Sequence, residues 1–418
     1  MEVCLSRRDL LVSLLSASAL ASTARRASAA ASPGSAMRFI FTTAGRTAIM
    51  DAAGGDLQVL DFQEPDQVTW QPAGFFRDGR RILLLSMEAR RDGPGRPFAR
   101  YYTRTPTHIR TYDLQEKRLT EIATRDRMAV FYTPQLLLDD QRMLVQVFRN
   151  QVGQIFSMNL DGSDAREFTA AGEGLPYGFS LNRERRRVAF HLASPTGYQV
   201  WTSDFEGRRR TLVASHPDHL YFGPAWSPDG AWLAYLDCRF RQDPGHDWSD
   251  VCVSRPDGSE QRVLTRGQAH WFGASYGSPG NRGGGSNMLS WTRDGSILFS
   301  RKLPDSKVPW EYQPQRPDTD HFNRDYKPES ARGGTEICRI DPSGGAIQAV
   351  TGSRPPVWDL RPSESPDGRT IVFCRAKTGR MPEIWCVESN GHNPRRLTRG
   401  LQGRGADHPR WLPLREGG

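Results

Sequence analysis

Short apolar runs alternate with turn signals along almost the whole chain. The clearest unit lies in residues 224–265, where apolar stretches at 225–226, 232–236, 251–253 and 262–264 are separated by Ser227-Pro228-Asp229-Gly230 and Pro256-Asp257-Gly258. Proline presets φ on entry to a turn and glycine accepts the positive φ on leaving it. The pattern predicts four antiparallel strands, A to D, joined as a meander.

The turn after strand A recurs at Arg77-Asp78-Gly79, Asp139-Asp140-Gln141, Arg293-Asp294-Gly295 and Pro366-Asp367-Gly368, with a degenerate copy at Asn182-Arg183-Glu184. The spacing is about 45 residues, the length of a four-stranded propeller blade. Six complete units are visible, and the seventh is split between the ends. Asp407-His408-Pro409-Arg410-Trp411 reads as a strand A with nothing after it, and Arg38-Phe39-Ile40-Phe41 as a strand B with nothing before it. Pairing the two hides both edges from edge-to-edge association. The expected fold is all-β, a seven-bladed β-propeller of four-stranded blades, closed by its C-terminal strand and forming one domain over residues 38–413.

The first 31 residues read differently. Ser6-Arg7-Arg8-Asp9-Leu10-Leu11 leads into an apolar run at 10–21, and Ala27-Ser28-Ala29 offers a small-residue cleavage site. That is the pattern of a twin-arginine export signal. The run falls short of the about 20 residues a spanning helix needs. A periplasmic or secreted product with no transmembrane anchor is expected.

Composition adds two points. The formal net charge is +9, and the balance stays basic when Arg7, Arg8, Arg25 and Arg26 of the leader are set aside with Glu2 and Asp9. A basic exported protein suits an acidic glycan or oligosaccharide, or an envelope protein, as partner. No motif beyond charge supports nucleic-acid binding, and a monomer is expected. Beyond Cys4, the cysteines are Cys238, Cys252, Cys338, Cys374 and Cys386. Cys238 with Cys252 and Cys374 with Cys386 lie on neighbouring predicted strands, so they read either as pairs with one thiol left over or as buried strand residues.

Departures from the period all fall on one face of the predicted disc. The long insertions at 88–107, 239–249, 267–288 and 303–335 lie in B-to-C or D-to-A connections, whereas the A-to-B and C-to-D turns are tight. Eight of the 9 histidines share that face: His216, His219, His270 and His408 in D-to-A connections, His246 and His321 in insertions, His108 and His191 at strand ends. Only His392 is on the other. Function is expected on the long-loop face.

The repeats Trp226-Ser227-Pro228-Asp229-Gly230 … Arg255-Pro256-Asp257-Gly258 … Leu264-Thr265, with their copy Ser365-Pro366-Asp367-Gly368 … Arg396-Leu397-Thr398, resemble those of the TolB-type propeller proteins over nearly the whole chain. A looser resemblance is to the oligogalacturonate lyases, propellers that cut uronate oligosaccharides with a histidine base beside a histidine-bound metal. It implies a metal-ligand position at His408 in Asp407-His408-Pro409-Arg410. Arg410, Gly223 and Asn287-Met288 stand where that family would have histidines.

Cleaving a uronate by β-elimination requires the carboxylate to be neutralised and a base within reach of the C5 proton. The long-loop face holds suitable residues. His219, His270, Tyr276 and Arg282 are the expected catalytic groups. Tyr221, Trp271, Trp310, His321, Arg324 and Arg404 are expected to bind substrate through aromatic faces and donors. His216, His270 and His408 are the expected ligands of a divalent metal, manganese, calcium or zinc. The leading reading is thus a polysaccharide or oligosaccharide lyase, and the alternative a non-catalytic envelope scaffold that binds a protein or glycan there. Gly273-Ala274-Ser275-Tyr276-Gly277 matches a nucleophile elbow in letters alone, because no helical pattern follows it.

Overall fold

The computed structural model describes residues 37–413 apart from 63, 65–66, 89–105, 129–133, 138–139, 150–151, 195–196, 239–247, 272–287, 313–323, 400 and 402. The export signal and much of the four insertions therefore lie outside the described residues. Within them the chain is an all-β propeller, and its helix amounts to one 3₁₀ turn at Pro328–Ser330. No helix among the described residues is long and apolar enough to cross a membrane.

Four sheets are separate four-stranded units. One orders Gln58–Val59, Arg46–Asp51, Arg38–Thr43 and Asp407–Trp411, so the last strand pairs antiparallel with the first. The next three are meanders, running from Gln67–Phe75 to Arg118–Met128, from Gln135–Leu136 to Arg166–Glu167, and from Leu175–Asn182 to Thr211–Ser215. Besides a separate two-stranded ribbon of Trp310–Tyr312 with Arg324–Tyr326, the remainder is one continuous sheet of 13 strands. It contains three further meanders, opening with Leu220–Trp226, Ser290–Trp291 and Trp358–Glu364. Two contacts fuse them: the short strand Ala269–His270 bridges Trp248–Ser254 and Ile297–Lys302, and Thr335 pairs parallel to Trp358.

The repeated turns work as the sequence chemistry requires. Ser227 Oγ donates to Asp229 Oδ1 (2.6 Å), Ala231 N–H donates to the same oxygen (3.0 Å), and Trp232 N–H donates to Ser227 Oγ (2.9 Å). Ser365, Asp367 and Thr370 repeat this arrangement. At the other end of four units a threonine hydroxyl accepts a strand-C N–H fourteen residues earlier, in Ile155–Thr169, Val251–Thr265, Ile337–Thr351 and Ile384–Thr398, at 2.9–3.0 Å. The Leu-Thr signature of the repeat is thus a clamp on its outer strand.

Apolar side chains between sheets fill the core. Phe39, Phe41 and Trp411 pack with Trp358, Leu360 and Val372 of the preceding meander, and Phe222 and Trp271 pack with Ile297 and Phe299. The five described cysteines are buried thiols, not joined in disulfides. Burial pushes the Cys338 thiol up to about 12 and Cys374 well above its ordinary value, which leaves neither as a ready nucleophile.

The inner strands share an irregularity. Two residues face one across the ladder between Tyr177 and Ser180, Phe222 and Ala225, Leu360 and Ser363, and Asp407 and Arg410, a β-bulge each time. The first residue of each bulge is left-handed: Gly178 (φ +56°), Gly223 (φ +65°), Arg361 (φ +53°) and His408 (φ +56°). Glycine takes this conformation freely, whereas an L side chain costs about 1–2 kcal/mol. At Gly178 a Cβ would also sit 2.3 Å from the His191 ring. Gly178→Ala should therefore destabilise by about 2 kcal/mol or more, read as a lowered urea midpoint; an unshifted midpoint would mean that the bulge can relax.

Candidate functional site

Two polar clusters lie at equivalent rungs of the inner strands. On the rung before the bulge Tyr221 faces Asp237 across the ladder, and Asp359 faces Arg375. The same end of two meanders is thus polar where its neighbours are apolar.

In the first cluster His219 directly precedes the strand Leu220–Trp226. Its Nδ1 lies 2.8 Å from Asp237 Oδ2 and 3.3 Å from the Tyr221 hydroxyl. His216 lies tilted against it, ring centroids 4.1 Å apart and planes at 44°, and accepts the Asp218 N–H on Nδ1 at 3.1 Å. Asp237 is 3% exposed as a side chain and His219 15%. A buried carboxylate on Nδ1 fixes the ring and places the basic lone pair on Nε2. Tyr221 rests edge-on against Tyr235, centroids 5.8 Å apart.

The second cluster joins the last strand to the meander before it. Arg361 Nη1 donates to both carboxylate oxygens of Asp407, at 2.8 and 2.7 Å, and both side chains are buried. Asp407 Oδ1 also accepts the His408 N–H at 2.7 Å, and His408 Nδ1 is 3.5 Å from Oδ2. Burial alone would raise the Asp407 carboxyl; the Arg361 guanidinium, with His408 and its N–H, outweighs this and holds it below the usual carboxylate range. Desolvation and then the same guanidinium push the His408 imidazole down to about 4, so the ring is neutral at pH 7. Behind them Arg375 donates from Nε to Asp359 Oδ1 (2.7 Å) and from Nη2 to Oδ2 (2.9 Å), and Ser353 Oγ donates to Oδ2 (2.5 Å).

The expected site residues divide sharply. His216, His219 and Tyr221 come together. His270 does not join them: it is 1% exposed, between the indoles of Trp248 and Trp358 at 5.3 and 6.0 Å, because its short strand is wedged between two sheets. Trp271 and Trp310, expected to line a sugar-binding wall, are core side chains at 0% and 4% exposure. Arg404 is exposed, and Arg324 begins a strand paired with Trp310–Tyr312. Tyr276, Arg282 and His321 lie outside the described residues. The expected metal triad of His216, His270 and His408 is not assembled, and among the described residues no group of three His, Cys, Asp or Glu side chains is placed to hold an ion. His408, the position that a lyase-like metal would use, faces a guanidinium, so the donor set there does not fit a cation.

Sequence reasoning missed Asp237, Asp359, Arg361 and Asp407. Asp237 had a readable signal: it is the one charge in Leu233–Cys238, a strand buried at every position.

No family model matches the chain, and no curated protein matches it in sequence. Solved structures that resemble it in fold include TolB proteins and oligogalacturonate lyases. An oligogalacturonate lyase in complex with manganese aligns with TM-score 0.51 at 14% identity, covering 87% of this chain and 85% of that one. A puromycin-hydrolyzing peptidase of Mycobacterium tuberculosis aligns with TM-score 0.54 at 13% identity, covering 85% of this chain and 50% of the other. TolB from Acinetobacter baumannii gives 0.44 at 13%, over 88% and 79%. At such identities the likeness is one of fold.

Proposed function

We propose that the protein is an exported propeller enzyme that cleaves acidic, uronate-containing oligo- or polysaccharides by β-elimination, with His219 as base. The observation that carries this reading is the His219 imidazole held at 2.8 Å by the buried Asp237 beside the Tyr221 hydroxyl. In this scheme His219 Nε2 takes the proton from C5, the C4–O4 bond breaks as the C4=C5 double bond forms, and the departing oxygen takes the Tyr221 proton. Exposed arginines, Arg404 among them, supply cationic charge that the substrate carboxylate requires. The likeness in fold to an oligogalacturonate lyase supports the substrate class. The manganese of that structure is not carried over, because the donors around His408 do not fit it.

We take the ring as seven-bladed, a count supported by the three meanders within the 13-stranded sheet and by the pairing of the first and last strands. The test of function is ultraviolet absorbance on mixing the mature protein with uronate glycans. A rising signal from the unsaturated product supports the lyase. A flat trace on every uronate, with binding retained, would replace it with the scaffold reading.

A further inference from the structure

The repeat contains its own control. In four inner strands the bulge is built on a left-handed residue, and at two of them that position is filled by Gly178 and Gly223, which adopt it without strain. At the other two it is filled by Arg361 and His408. These two belong to adjoining sheets and are linked through Asp407, with Arg361 bonded to its carboxylate and the His408 N–H bonded to the same group. Strain kept where glycine would relieve it marks a position held for its side chain.

The neighbouring charges narrow what that side chain can do. Asp407 alone would repel an anion, but Arg361 neutralises it within the wall. In the equivalent place the other three of these strands carry Tyr177, Phe222 and Leu360, so among the four the acid is peculiar to the last strand. His408 is 26% exposed as a side chain, and Arg410, two residues on along the same strand, is exposed. The charged groups that bear on the ring are Arg361, Asp407 and Arg410, and among the described residues the one with no acid bonded to it is Arg410.

We propose that His408 and Arg410 form a receptor for a ligand carboxylate on the inner wall, with Arg361 and Asp407 as positioning residues that hold the His408 ring. The inference rests on the uronate reading above and names the place where the sugar acid is recognised. It requires no ion: an imidazole N–H and a guanidinium supply the donors.

The test uses the mature protein, a galacturonate trisaccharide and its neutral methyl ester, with calorimetric titration and thermal melting. Wild type should bind the acid more tightly than the ester. His408→Gly should melt at the wild-type temperature or about 1–2 °C above it, because strain is relieved, yet bind the acid about tenfold more weakly with the ester little changed. Arg410→Gln should lose a similar factor. A clear drop in the His408→Gly melting temperature would make the residue structural and overturn the proposal. So would wild-type affinity for the acid in both variants, or no preference for the acid in wild type. If the acid binds in this manner but is never cleaved, the lyase reading fails and the receptor stands.

Discussion

Asp237→Asn should lower the rate of unsaturated-uronate formation by on the order of 10²–10⁴ while the protein stays folded. The carboxylate is 3% exposed and accepts from His219 Nδ1, so it both selects the tautomer and stabilises the imidazolium that forms when the ring takes a proton. An asparagine of the same shape can offer its NH₂ to Nδ1, which moves the ring proton to Nε2 and removes the base from the side facing substrate. His219→Ala should lose at least as much, and the double variant little more than either single, because the two act as a unit. Initial rates with circular dichroism as the folding control decide it. A folded Asp237→Asn protein at full rate would remove His219 from the chemistry.

Arg361→Ala should be the most damaging single change to stability among the polar residues described. It leaves the Asp407 carboxylate, 5% exposed, buried without its cation. Breaking a buried pair from one side costs about 3–5 kcal/mol, whereas replacing both partners with neutral groups of similar shape costs far less. The urea midpoint should therefore fall sharply for Arg361→Ala and recover most of the loss in Arg361→Gln with Asp407→Asn. Equal midpoints for wild type and Arg361→Ala would show that Asp407 is solvated or has other partners.

The repeat was legible because its turns are chemically specific. Ser227, Asp229 and Gly230 form a side-chain-to-backbone turn that few other residues can make, and Thr265 marks the end of the unit as plainly. Histidines are less informative, since loop assignment gives a face but not a depth. His270 and Trp271 sit in a segment that reads as a loop and folds as a buried wedge between sheets. The Arg361–Asp407 pair escaped because its members are 46 positions apart and meet only when one strand's bulge is set against its neighbour's. Traces of the bulges in the sequence were slight: the glycines Gly178 and Gly223, and the proline after Gly223, Arg361 and His408.

The pairing of Arg38–Thr43 with Asp407–Trp411 also sets an order of events. Chains are made from the amino end, so the first strand must wait, one edge unsatisfied, until its partner has been synthesised. Every intermediate repeat can collapse locally, but this sheet can be completed only by a contact spanning the domain, the kind that makes folding slow. Aggregation during biogenesis should accordingly begin at the Phe39 edge, and a supplied peptide of the last strand should rescue chains truncated before residue 407.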